Sequence, residues 1–341
     1  MPIGAFISGC AGLELTSDER SFFRDAQPWG LILFKRNVEA PEQVQKLTAS
    51  FRESVGRRNA PILIDQEGGR VQRLGPPNWR KYPAARRYGE LFEKSPLDGL
   101  RAARLTARLI AEDLLALGIN VDCIPVLDVP GEGAHEVIGN RAYAKNARNV
   151  TILARAVMEG LMSGGVLPVV KHAPGHGRAG VDSHHTLPVV TATKEELETS
   201  DFTTFAAFAD APMAMTAHVV YAAYDPDKPA TLSPRIVRII RRKIGFDGLL
   251  MTDDLSMKAL SGTMEERVAE AAAAGCDIML HCNGDFAEMQ AVARAAGELK
   301  GRAASRARAA LKRLRRPVKF DRRMAMKEAE QLLLVEAETS S

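Results

Sequence analysis

The chain predicts an α/β fold: a single (β/α)8 barrel of the TIM type, followed by a basic helical tail. Three observations carry this prediction. Eight short apolar runs bounded by turn residues recur along the sequence, helix-like stretches separate them, and polar residues stand directly after most of the runs. A doubly wound open sheet alternates in the same way, but eight units favour closure.

The runs are residues 6–10, 30–34, 62–65, 121–127, 167–170, 213–220, 248–252 and 277–281. They read as unbroken apolar stretches, which suits parallel strands covered on both faces. Between them, residues 41–55, 99–117, 150–163, 194–209, 234–244 and 264–274 have helical periodicity, several opened by Thr, Ser or Pro. In such a barrel the strand ends form one mouth. Asp65, Asp128, Lys171 with His172, His218, Asp253 with Asp254, and Asn283 stand at six of those ends.

At 341 residues with 46% hydrophobic and 26% charged content, the chain is long enough for one large domain, placed at residues 1–299. No apolar run approaches the roughly 18 to 20 residues of a membrane span. The opening Met-Pro-Ile-Gly-Ala-Phe-Ile-Ser-Gly-Cys10 superficially matches a lipoprotein cleavage site, but no Lys or Arg precedes its apolar residues, so it reads as the first strand. Cys10, Cys123, Cys276 and Cys282 are too widely spaced for a disulfide framework or a zinc pattern, which fits a reducing cytoplasm.

The tail, residues 300–341, is expected to pack on or beside the barrel as helix. Between Lys300 and Arg323 it holds eleven Lys or Arg and one acid, Asp321, so this segment carries +10 and the rest of the chain −6. Such a helix could touch nucleic acid or an anionic surface. With almost no aromatic residues interleaved for base stacking, it reads instead as a solvated face. The expected protein is a monomer without nucleic-acid or membrane partners.

Four of the seven histidines fall in Val169-Val-Lys-His-Ala-Pro-Gly-His-Gly-Arg-Ala-Gly-Val-Asp-Ser-His-His-Thr-Leu-Pro188. A loop carrying Lys171, His172, His176, Asp182, His184 and His185 has the mixture that proton transfer near neutral pH requires. Asp182 stands two residues from His184, close enough to hold one ring nitrogen and raise its pKa. A purely local Asp–His contact would have the same spacing. Asp253 and Asp254 occupy the lip of the seventh run. Neighbours on an extended segment point opposite ways, so one of them, Asp253, is expected to face the axis while the other supports the loop. A pair that merely caps the next helix would also fit.

Taken together, Asp65-Gln-Glu-Gly-Gly-Arg70, Lys171-His-Ala-Pro-Gly-His-Gly177, Asp182-Ser-His184 and Thr252-Asp-Asp-Leu-Ser-Met257 resemble glycoside hydrolase family 3, over roughly residues 5 to 295 and in the family's order. The likeness is greatest to its bacterial cytoplasmic β-N-acetylglucosaminidases of peptidoglycan recycling. The resemblance implies a retaining exo-hydrolase, without metal or cofactor. Its substrate would be terminal β-linked N-acetylglucosamine on muropeptides of the GlcNAc-anhydro-MurNAc type. Carried over by position, it makes Asp253 the nucleophile and His184, paired with Asp182, the general acid and then base. Asp65, Arg73, Arg141, Lys171 and His172 match the residues that hold the sugar. Ala173 stands where the family pattern has Phe, and Thr252 where it has Ser; His185 has no assigned role.

Three other readings use the same residues. A zinc hydrolase could draw on His172, His176 and His184, although Pro-Gly between the first two spoils a one-face helical spacing. Lys171 at a strand end suits a Schiff-base aldolase. A barrel that binds sugar without cleaving it is the third.

Overall fold

The computed structural model describes residues 2–131, 133, 137–180 and 187–334. At its centre eight parallel strands close into a barrel: β1 (Gly4–Ser8), β2 (Pro28–Leu33), β3 (Ile62–Ile64), β4 (Val121–Asp122), β5 (Leu167–Ala173), β6 (Met213–Thr216), β7 (Leu249–Asp254) and β8 (Ile278–His281). Every strand pairs with its neighbours in sequence, and β8 returns to β1 with Ile7 opposite Leu280.

Side-chain alternation explains why the strands looked uniformly apolar. Ile7, Ile32, Leu63, Val169, Met215, Met251 and Leu280 point inward and fill the barrel. Their neighbours Phe6, Leu31, Ile64, Val170, Ala214, Leu250 and Met279 point outward under the helices. Both faces of each strand are therefore buried, as a parallel sheet wrapped in helices requires.

The helices are α1 (Ser17–Ala26), α2 (Pro41–Ser54), α3 (Ala85–Lys94), α4 (Pro96–Ala116), α5 (Ala147–Ser163), α6 (Lys194–Glu196), α7 (Phe202–Ala206), α8 (Pro234–Arg242), α9 (Met264–Ala274), α10 (Phe286–Ala296), α11 (Gly301–Leu311) and α12 (Arg322–Leu334). Thr16, Thr193 and Thr263 each close a capping box with a Glu three residues on.

Three expected elements differ in form, and of these the run 213–220 is barrel strand only over Met213–Thr216, with Val220 pairing instead with Val189 outside the barrel. Residues 194–209 do not make one α-helix, because a π turn, Leu197–Asp201, separates α6 from α7. It directs Asp201 inward, where the fully buried carboxylate meets Arg178 Nε at 2.7 Å. The run 121–127 keeps regular strand pairing only over Val121–Asp122. Pro125 has no N–H to give a ladder, and contact with β5 resumes through Leu127 N donating to Lys171 O at 2.7 Å.

The two poles of the barrel differ. At the N-terminal ends of the strands, α11 lays Ala307 and Ala310 with Leu299 against the barrel interior, and Arg306 bridges Asp247 and Asp277 beside it. This closes the floor. α12 runs along α4, burying Ala325 and Ala329 and pairing Arg322 with Asp113 at 2.7 Å. The C-terminal ends of the strands form the mouth.

Candidate active site

The loop after β3 brings the first charged residues to the mouth. Asp65 leads into a small hairpin, Gln66–Gly68 with Val71–Gln72. Its turn requires glycine: Gly68 has φ +91, and a Cβ there would lie 2.3 Å from Pro83 O. The Gln66 side chain fastens the loop, since Oε1 accepts from the N–H groups of Arg73 and Leu74, both at 3.0 Å. Asp65, Glu67 and Arg73 are thereby presented to one side.

Lys171, at the end of β5, reaches into this group. Its ammonium lies 2.9 Å from Asp65 Oδ1 and 2.7 Å from Glu67 Oε1. Arg73 Nη2 donates to Asp65 Oδ2 at 2.9 Å, and Arg141 grips both Glu67 oxygens at 2.8 Å. Burial alone would raise the Asp65 carboxyl, but Lys171 and Arg73 outweigh it and hold the group well below the usual range. Burial is likewise overcome at Glu67 by Arg141 and Lys171, leaving that carboxyl at about 2. The converse holds for Lys171, whose burial is outweighed by the two carboxylates, so its ammonium stays charged. A Schiff-base aldolase needs that amine neutral, and the pairing removes this reading.

A second cluster flanks the first. Asp128 Oδ2 lies 2.7 Å from His172 Nδ1, and Asp128 Oδ1 accepts from His176 N at 2.7 Å. Burial would raise Asp128, but His172 brings it to about 2. Burial and then the neighbouring His172 lower His176 to about 4, so its ring is neutral at physiological pH. A register shift in β5 between Val170 and Ala173 lets Lys171 and His172 both face the mouth.

At β7 a similar irregularity between Met251 and Asp254 changes the expectation that only one carboxylate faces the axis. Both line the mouth, yet their partners divide them. Asp254 accepts from Ser256 N at 3.0 Å, Ser256 Oγ at 2.6 Å and Cys282 N at 3.1 Å, and so ties the loop to β8. Asp253 accepts from the Asp254 N–H at 2.8 Å and has no ion pair with any described residue. Burial would raise it, but His218, His172 and that N–H hold its carboxyl below the ordinary value. His218 Nε2–H donates to Asp254 O at 2.9 Å, which makes it a brace behind the lip. His281 lies against Glu288 at 3.0 Å, outside the cavity.

These side chains enclose a cavity of about 220 Å3. Asp65, Arg73, Arg141, Lys171, His172 and Asp253, the site residues that the family resemblance implies, all line it, with Ile32, Phe34, Met215 and Leu280 supplying apolar wall. Asp182, His184 and His185 lie outside the described residues. Glu67 and Asp128, given no role in the sequence reading, bind two pairs of lining side chains together. Thr252, the departure from the expected Ser, gives its hydroxyl oxygen to Leu280 N at 2.9 Å. Among the described residues no three His, Cys, Asp or Glu side chains are grouped to hold a metal.

The model of the glycosyl hydrolase family 3 N-terminal domain matches residues 9–316. The chain belongs to glycosyl hydrolase family 3. A β-hexosaminidase of Bordetella pertussis is 38% identical over 295 residues, 84% of this chain and 82% of that one. Among solved structures, the family 3 β-N-acetylglucosaminidase of Paenibacillus superposes with a TM-score of 0.86 at 30% identity, covering 96% of this chain and 66% of its own. NagZ from Neisseria gonorrhoeae, in complex with N-trifluoroacetyl-D-glucosamine, gives 0.81 at 32% identity over 98% and 99%. The family 3 chain described here is thus a glycoside hydrolase of the β-hexosaminidase kind, built on one closed barrel.

Proposed function

We propose that the enzyme is a retaining exo-β-N-acetylglucosaminidase in which Asp253 attacks the anomeric carbon and forms a covalent glycosyl-enzyme. The carrying observation is the division of labour among the acids of the cavity. Asp65 and Glu67 are pinned by cations and Asp254 by its loop, whereas Asp253 has no ion pair with any described residue and is held below its ordinary value by its surroundings, His218 and His172 first. An ionised carboxylate without a direct counterion is a competent nucleophile.

Retention also needs a proton donor for the departing oxygen. Asp65, Glu67, Asp128 and Asp253 are all held below their ordinary values, and His176 is neutral. A donor must therefore come from elsewhere, and His184, oriented by Asp182, has the chemistry to serve as acid and then base. Asp65, Arg73, Arg141, Lys171 and His172 would bind the sugar's hydroxyl and acetamido groups, gaining strength in the oxocarbenium-like transition state. The small cavity suits a single terminal sugar. Family membership and the N-trifluoroacetyl-D-glucosamine complex of the Neisseria relative support N-acetylglucosamine as that sugar.

The wider reading is hydrolysis of GlcNAc-anhydro-MurNAc muropeptides in cell-wall recycling, by a cytoplasmic monomer. Four buried free thiols suit a reducing compartment, and no described helix is long and apolar enough to cross a membrane. The test is a slow 5-fluoro N-acetylglucosaminyl substrate followed by intact-mass analysis and peptide mapping. The expected adduct sits on Asp253. A label on another residue, or an oxazoline product with no protein adduct, overturns the mechanism.

A further inference from the structure

The floor of the barrel carries a different chemistry from its mouth. α11 turns Ala307 and Ala310 toward the barrel, so at about 100° per residue Arg302, Arg308 and Lys312 stand on the arc facing away. All three are exposed, and the chain continues with exposed Arg315, Arg316 and Lys319. None of the six is in ion-pair contact with a carboxylate among the described residues, although Arg302 acts on Asp247 from a greater distance. Arg306, on the flank of the same helix, has two: Asp247 and Asp277. The nearby Asp210 is already paired with Arg155. An ordinary solvated face mixes signs, as α12 does with Lys327, Glu328 and Glu330.

Apolar exposure marks the same region. Val318 is 64% exposed and Met324 69%, and among the described residues only Leu97 and Val189 are comparable large hydrophobic side chains. Val318 is held there by its N–H, which donates to Ser163 O at 2.9 Å. Unpaired cations around a protruding apolar side chain fit a lipid headgroup layer better than a nucleic acid. Base stacking would need an open aromatic ring, and the one in this segment, Phe320, is covered by the Arg108 guanidinium 4.2 Å from its centroid.

We propose that this floor docks on the surface of an anionic phospholipid bilayer, with the six cations on headgroup phosphates, Val318 among them, and the mouth facing the aqueous phase. Each cation at such a surface strengthens binding about fivefold. The rest of the chain carries a net −6, so the excess of positive charge is concentrated on this segment.

The experiment is flotation of the full chain with vesicles of phosphatidylcholine mixed with phosphatidylglycerol, against phosphatidylcholine alone, at low and high salt. Binding is expected on the anionic vesicles only, lost at high salt. It should fall at least about a hundredfold in the quadruple variant Arg302→Glu, Arg308→Glu, Lys312→Glu and Arg316→Glu. Hydrolysis of a chromogenic N-acetylglucosaminide should stay unchanged. If that variant does not fold, the milder pair Arg308→Gln and Lys312→Gln must still weaken binding about tenfold or more. Equal binding to neutral vesicles, no binding to anionic ones at low salt, or tighter binding to duplex DNA would overturn the assignment.

Discussion

Glu67 holds two cations from different parts of the chain, Lys171 from β5 and Arg141 from the segment before α5. Replacing it with Gln would leave a buried ammonium with one carboxylate in place of two and break a bidentate guanidinium pair. Glu67→Gln is expected to destabilise the fold by about 3 kcal/mol in urea unfolding and to raise KM more than it lowers kcat. An unchanged KM would mean that the pair is not part of sugar recognition. His184 calls for a different comparison, because a proton donor matters most for poor leaving groups. His184→Ala should lower turnover by about 10² to 10⁴ on an alkyl N-acetylglucosaminide and much less for glycosylation with a nitrophenyl one. Equal losses on both would remove it as the donor.

Close packing of elements transmits distant substitutions to the mouth. Gly89 of α3 lies under Tyr143, and a Cβ there would sit 1.8 Å from Tyr143 O, two residues from Arg141. Gly89→Ala should therefore lower stability by about 1–3 kcal/mol and raise KM through displacement of Arg141. A variant with full stability and unchanged kinetics would show that the contact relaxes freely. The legibility of elements from sequence follows the range of their contacts. α9 matches its expected bounds at both ends because Thr263 caps it and Gly275, at φ +109, stops it, and both signals are local. α1 carries the Thr16–Glu19 box but is only ten residues long and polar on much of its surface, so it went unmarked. α3 has no side-chain cap at all. The motif residues of the mouth were legible because residue type and strand ends coincide. The pairings that give Glu67 and Asp128 their roles were not, since the partners lie 74 and 44 positions away and leave no spacing to read.

For the molecule as a whole, paired buried carboxylates set the response to acid. Asp65, Glu67 and Asp128 all titrate below their ordinary values in the folded state. Such groups add stability that is complete above about pH 5 and is lost as pH falls through about 2. Glu67, held at about 2 against 4.5, contributes roughly 3 kcal/mol at neutral pH. Asp122 and Asp201, which burial raises, act the other way and soften the loss. The melting temperature should fall steadily between about pH 5 and pH 2, and a flat profile there would contradict the charge pairing. The sealed floor has a kinetic corollary. Side chains fill the barrel above α11 as well, so the cavity is a cul-de-sac whose traffic enters and departs by one doorway. In the proposed exo reaction, the residue cleaved from a glycan's non-reducing end would be trapped beneath its former neighbour, which would have to exit before it. Release becomes ordered, and free monosaccharide accumulating outside would compete with fresh glycan for the vacated enzyme.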